Sequence, residues 1–220
     1  MMTNLFSTFD PATSVNMSMN WSSSIYTIIL LPITFWKIPN RSLKLMNIII
    51  TKLHQEFKTL MGNKSKGLTI MMISLFIMIM INNSMGLLPY MFTSTSHMTM
   101  NLTLALPLWM TMMLFGWINQ TNMMFAHLIP NNTPTALMPF MVLIETTSNI
   151  IRPGSLAVRL TANMIAGHLL MSLLGNNLTM KMFPMLIILQ MSLMMFEMAV
   201  AIIQAYVFSV LSTLYSSEVI

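Results

Sequence analysis

Residues 135–174 read TALMPFMVLIETTSNIIRPGSLAVRLTANMIAGHLLMSLL, forty positions that are almost continuously compatible with helix. As one helix they would span about 60 Å, against roughly 30 Å for the hydrocarbon core of a bilayer. A simple upright crossing is excluded. Either Pro153 and Gly154 break the segment into two short crossings, or it is one long helix inclined beyond the usual range of about 0–40°. Residues 182–214 have the same character, and Gly175, Asn176 and Asn177 mark a turn between the two segments. On an ideal helix Glu145, Arg152, Arg159 and Asn163 fall on one stripe, because seven-residue steps return to within about 20° of the start. His168, nine residues after Arg159, points the opposite way. In the last segment Glu197 and Gln204, also seven apart, share a stripe. Two facing helices thus turn polar groups toward protein or water rather than lipid.

The rest of the chain supports a membrane setting. It has 220 residues, of which 55% are hydrophobic and 7% charged, with mean hydropathy +0.73. Soluble domains average about 25% charged residues, so a water-solvated surface cannot be built from this composition. Net charge +5 does not signal a nucleic-acid binder, which needs clustered Lys and Arg on a soluble face. With no Cys, disulfides and thiolate metal sites are excluded, and no metal or cofactor site is expected. The 30 Met residues read as codon bias, since Met packs interchangeably with Leu or Ile; copper or redox chemistry is the alternative.

The charges are unevenly placed. Seven of the ten Lys and Arg (Lys37, Arg41, Lys44, Lys52, Lys58, Lys64, Lys66) sit in residues 37–66, with Glu56 the one acid there. Residues 67–144 contain no Asp, Glu, Lys or Arg, a length that must hold more than one crossing of about 20 residues. The positive-inside rule puts the basic stretch on the cytoplasm-equivalent side and the N-terminus, with Asp10, on the other. The first apolar segment, 23–36, has neither a basic n-region nor a small-residue cleavage site before it, so it reads as a retained crossing. Within 43–61, Met46, Ile49, Ile50, Leu53, Phe57, Leu60 and Met61 recur at helical spacing, with Lys44, Lys52, Gln55, Glu56 and Lys58 interleaved. That pattern fits a helix lying along the inner interface, or else one packed on a partner. Crossings follow at about 68–88 and 102–118, joined by the polar stretches 93–101 and 119–134. The chain therefore reads as one all-α membrane domain: 1–36 with the first crossing, 37–66 basic and interfacial, 67–134 with two uncharged crossings, and 135–220 with the polar helical pair.

Charges inside apolar segments cost about 2.5–3.5 kcal/mol each on insertion scales. For Arg159 two readings stand, an ion pair with Glu145 or Glu197 and a place on an ion path. A lone His168 is more often packed than working, but Glu197 on the neighbouring helix could exchange a proton with it near neutral pH. The sequence contains no GxxxxGK[ST], so nucleotide chemistry belongs on another chain.

Residues 156–175, LAVRLTANMIAGHLLMSLLG, resemble the signature of subunit a of the F-type ATP synthase in its animal mitochondrially encoded form. NLFSTFDPAT near the N-terminus, LPLWM at 106–110, FAHLIPNNTP at 125–134 and EMAVAIIQAYVFSVL at 197–211 look like the same family in the same order. The resemblance implies a non-catalytic, proton-translocating stator subunit of the mitochondrial inner membrane. It would offer two offset half-channels to the c-ring and couple proton flow to rotary ATP synthesis. It implies that Arg159 faces the c-subunit carboxylate and blocks direct leakage, with Asn163 and Gln204 beside it. It implies that His168 and Glu197 serve the half-channel open to the intermembrane space and that Glu145 lies near the matrix half-channel. Arg152 is not required by the family and reads as charge balance for Glu145 or a lipid head-group contact. Partners implied are the c-ring, the peripheral stalk and other membrane-sector subunits, and membrane lipids, with no nucleic acid. The two long segments would be a hairpin of steeply tilted helices, giving about five crossings, an N-terminus in the intermembrane space and a C-terminus, with Glu218, in the matrix. A secondary ion transporter or a non-conducting scaffold of a respiratory complex are the competing readings; the first normally shows two related halves, whereas all embedded charge here is at one end.

Overall fold

The computed structural model of the chain describes residues 5–14, 16–32, 38–62, 67–129, 133–176 and 183–219. Lys37, Lys64 and Lys66 of the basic stretch, residues 33–36 of the first apolar segment and Asn177 of the expected turn lie outside the described residues. The described residues form seven α-helices and no β-strand: α1 (Tyr26–Leu30), α2 (Arg41–Met61), α3 (Leu68–Gly86), α4 (Met98–Asn119), α5 (Thr121–His127), α6 (Met138–Asn176) and α7 (Phe183–Val219). Among them α3, α4, α6 and α7 are long and apolar enough to cross a membrane. The chain is an all-α, multi-pass membrane protein.

Pro153 and Gly154 do not break α6. The proline removes one backbone hydrogen bond, that to the Asn149 carbonyl, but its ring is buried beside Ala105, Leu108 and Phe208 of the neighbouring helices, and contacts from other helices let membrane helices absorb such a loss. At 39 and 37 residues, α6 and α7 are about 58 and 55 Å long. Held upright, helices of that length would extend well beyond a hydrocarbon layer of about 30 Å. The C-terminal segment stays helical to Val219, five residues past the expected end. Ser216 and Ser217 bond back to the Thr213 and Leu214 carbonyls, and Glu218 is held by Arg152.

Contacts fix the helix directions. Arg152 meets Glu218, Met164 clusters with Ala201, and Gly167 lies against Glu197, so α6 and α7 are antiparallel. Asn83 Nδ2 donates to the Ala201 carbonyl at 3.5 Å and Ser212 Oγ donates to Met72 Sδ at 3.2 Å, so α3 is antiparallel to α7 as well. The N-terminal turn Leu5–Phe9 sits at the His168 end of this bundle, its Phe9 ring edge-on to His168 at 6.1 Å. The first apolar segment then runs beside α3, where Ile25, Ile28 and Leu31 face Ile77, Met78 and Ile81 across a cavity. It leads to α2, whose Glu56 accepts from Tyr206 Oη at 3.4 Å, toward the Glu218 end. The N-terminal turn and the basic helix therefore occupy opposite ends of the bundle.

Leu53, Phe57 and Met61 of α2 are buried and Met46, Ile49 and Ile50 partly so, against the cluster built by α3, α4, α6 and α7; the helix is packed on its own chain, and Leu60 alone of the expected stripe is exposed. α2 stops at Gly62, whose φ of +71° is open to glycine and whose N–H caps the Lys58 carbonyl. Two expected connections are more structured than their polarity suggested. α4 starts at Met98, with Asn101 Nδ2 donating to the Thr95 carbonyl at 2.8 Å, and α5 forms within 119–134. In the first of them, local bonds from Ser96 and Asn101 satisfy the Thr93 and Thr95 carbonyls.

The seam of α7 is made mostly of small residues, along with Phe208. Ala201, Ala205, Ser209, Ser212, Thr213 and Ser216 are buried while Ile188, Met195 and Phe196 are exposed, the arrangement expected where lipid, not water, surrounds the bundle and helices associate by close approach. Enlarging Ala205, which is 0% exposed, to Leu should therefore overpack the seam and cost about 1–3 kcal/mol. A lower melting temperature of the purified complex for Ala205→Leu, with no change for Ile202→Leu on the outer face, is the expected result.

Candidate functional site

Glu197, Asn163 and Gln204, joined by Asn83 of α3, line one cavity of about 450 Å³ whose other walls are mostly apolar. The seven-residue spacing of Glu197 and Gln204 is what brings both to it. Both carboxylate oxygens of Glu197 are buried and make no hydrogen bond among the described residues. α6 and α7 can approach here because residue 167 is glycine: a Cβ at that position would stand 2.8 Å from the Glu197 carboxyl carbon. Asn83 was not anticipated as part of this site. Its signal in the sequence was an amide pair, Asn82 and Asn83, inside a helix that is otherwise nearly all apolar. Its Oδ1 is likewise buried without a partner.

His168 opens onto a second cavity, of about 890 Å³, shared with Phe9, Asp10, Pro89, Thr93 and Gln190. Its Nε2 is buried and unpaired among the described residues. His168 and Glu197 are not hydrogen-bonded to each other, because consecutive residues of a helix diverge by about 100°. Gly167 receives the carboxylate and His168 turns toward the N-terminal turn. The two cavities adjoin, with Leu87 in both linings.

At the other end, Glu145, Asn149, Arg152 and Glu218 line a cavity of about 640 Å³ together with His127 of α5. Arg152 bridges the two acids, with Nη1 at 2.5 Å from Glu218 and Nη2 at 3.5 Å from Glu145, and its guanidinium lies 4.8 Å from the centre of the Tyr215 ring. Arg152 is thus the charge balance for Glu145, as expected, but shared with Glu218 across the hairpin. His127 was missed, as it stands in a stretch read as a connection. Arg159 lies two residues past the middle of α6, exposed, with no ion pair among the described residues. Glu145 is engaged by Arg152 and Glu197 is unpaired, so neither acid neutralises Arg159 within this chain. Asn163, one turn on, is also exposed. Among the described residues no three His, Asp or Glu side chains converge in a way that could hold a metal ion.

Residues 16–217 match the family model described as ATP synthase A chain. The chain belongs to this family. Over the full length of both proteins it is 62% identical to ATP synthase subunit a of Locusta migratoria, 60% to that of Aedes albopictus and 58% to that of Drosophila melanogaster. Arg159, His168, Glu197 and the rest of the candidate set fall inside the matched family region, and Asp10 precedes it.

The Gly167 contact makes a specific demand of the family's hairpin. Gly167→Ala should drive Glu197 from its seat and lower the melting temperature of the purified complex, an overpacking cost of about 1–3 kcal/mol. Shortening the acid in the double variant Gly167→Ala, Glu197→Asp should recover part of the loss. Strict additivity of the two changes would rule out the contact.

Proposed function

We propose that this chain is the proton-translocating stator subunit of an ATP synthase membrane sector in the mitochondrial inner membrane. Two half-channels open on opposite ends of α6 and Arg159 separates them. The observation that carries this reading is Arg159, without an ion pair among the described residues, lying along α6 between one cavity that holds His168 and another that holds Glu145. Glu145 is fourteen residues before it, about 21 Å along the helix, and His168 is nine after it, about 14 Å. A guanidinium exposed on an apolar helix and left uncompensated by its own chain costs about 2.5–3.5 kcal/mol, so a carboxylate supplied by another chain is its natural counterpart. The c-subunits of a rotor ring supply it in turn. Arginine suits the post because it stays protonated, so it attracts each deprotonated carboxylate yet cannot relay a proton. Lysine, which can lose its proton when desolvated, would leak.

In this reading protons enter from the intermembrane space past His168 and Glu197, bridged by water across the adjoining cavities, and reach the rotor near Asn163 and Gln204. After rotation they leave through the cavity of Glu145, Arg152 and Glu218 to the matrix. Each proton moving down the potential yields about 2.3 kcal/mol per 100 mV. The N-terminal turn then faces the intermembrane space, and the basic α2 and the C-terminus face the matrix, in agreement with the positive-inside rule. The c-ring and peripheral stalk are the partners. A secondary transporter would need a second, related polar half, and the helices α3 and α4 carry no charged residue.

Two measurements test the assignment. Arg159→Gln should assemble into the complex but abolish proton-coupled ATP synthesis, and normal synthesis would overturn the gating role. Neutralising His168 or Glu197, as His168→Gln or Glu197→Gln, should slow proton-driven synthesis by about tenfold or more without loss of assembly. Unchanged rates in both would return the pair to a packing role.

A further inference from the structure

The cavity beside His168 contains a carboxylate that the mechanism above leaves idle. Among its described lining residues Asp10 is the one Asp or Glu, and none is Lys or Arg. Asp10 is itself exposed, so it stands where the cavity meets solvent. It is also fastened there. The His97 ring nitrogen Nε2 lies 2.9 Å from the Phe9 carbonyl; a carbonyl oxygen only accepts, so Nε2 carries the proton and donates. Asn20 Nδ2 donates to the Asp10 carbonyl at 3.1 Å, and the Ala12 N–H donates to Asp10 Oδ1 at 3.1 Å. His97 is in turn stacked on Phe92 at 5.2 Å. The N-terminal turn is thus a built wall of the cavity, closed against His168 by the Phe9 ring.

We infer that Asp10 is the proton-collecting group of this cavity, taking protons from bulk solvent and passing them to water that reaches His168. The inference rests on the reading of the His168 side as the uptake path. Each transfer balances simply: an O–H bond forms on the carboxylate as a hydronium reverts to water, and breaks as the proton moves to a cavity water, with nothing oxidised or reduced. At pH 7 a diffusion-limited encounter constant of about 10¹⁰ M⁻¹s⁻¹ allows only about 10³ direct captures per second. A fixed negative charge at a low-dielectric mouth raises the local supply. Among the described lining residues the other titratable groups are Tyr90, on the connection from α3 to α4, and His168 on α6; α7 contributes the neutral amide of Gln190. His97 faces the Phe9 carbonyl rather than the carboxylate. Asp10 therefore has no competing Lys or Arg among the described lining residues.

The test uses the whole ATP synthase reconstituted in liposomes, with the electrical potential held constant and the pH on the uptake side varied. Asp10→Asn keeps the Oδ1 acceptor for Ala12, so the turn is preserved. We expect its rate of ATP synthesis to fall about threefold near pH 8, where protons are scarce, to match the parent near pH 6, and to be restored by Asp10→Glu. Equal rates for Asp10→Asn and the parent at both pH values, with His168→Gln still slow, would overturn the role of Asp10 and leave the uptake path intact. An equal loss at both pH values that Glu does not restore would also overturn it, reducing Asp10 to a structural part of the wall. Should His168→Gln be unaffected too, the uptake reading itself fails, and this inference with it.

Discussion

α7 touches α2, α3, α4 and α6, and it does so through a seam of Ala, Ser and Thr. Lipid supplies no hydrophobic force to push apolar helices together, so association depends on how closely backbones approach and on polar groups that prefer protein to hydrocarbon. Small residues allow the first. Asn83 on the Ala201 carbonyl and Ser212 on Met72 supply the second. Large apolar side chains of α2 and α3, such as Phe57, Met72 and Phe76, are buried against this bundle, while on α7 Ile188, Met195 and Phe196 face outward.

Gly167 belongs to the same logic. It replaces a side chain with the carboxyl group of the neighbouring helix, so that Glu197 is held inside the hairpin. Its carboxyl oxygens have no hydrogen-bond partner among the described residues, a costly arrangement for a purely structural helix pair. Glu145 and Glu218, by contrast, share Arg152 and are partly exposed. Surface pairs of that kind stabilise by about 0–1 kcal/mol. The hairpin is clasped by Arg152 at one end and holds a buried, unbonded Glu197 further along, with Arg159 between the two and without an ion pair among the described residues.

The all-helical class, the amphipathic α2 and the shared stripe of Glu197 and Gln204 were legible in the chain alone, because each depends on periodicity or length within one segment. Asn83 and His127 were not, since their importance comes from neighbours 80 or more positions away in one case and from a short helix inside an apparent linker in the other. The placement of His168 and Glu197 on adjoining cavities illustrates the same limit. Seven-residue arithmetic orders side chains around one axis but says nothing about which neighbour each meets.

The sequence by itself determined that the chain lives in a membrane, where its charges can be tolerated and which family it resembles, because composition and local spacing carry that information and hydrocarbon penalises every exception. Only the tertiary structure decided that Pro153 leaves α6 unbroken, that Arg152 rather than Arg159 neutralises Glu145, and that Glu197 and His168 open on separate, adjoining cavities. Those outcomes depend on contacts between helices, where a missing Cβ at Gly167 or a serine in place of a larger residue decides which groups can meet.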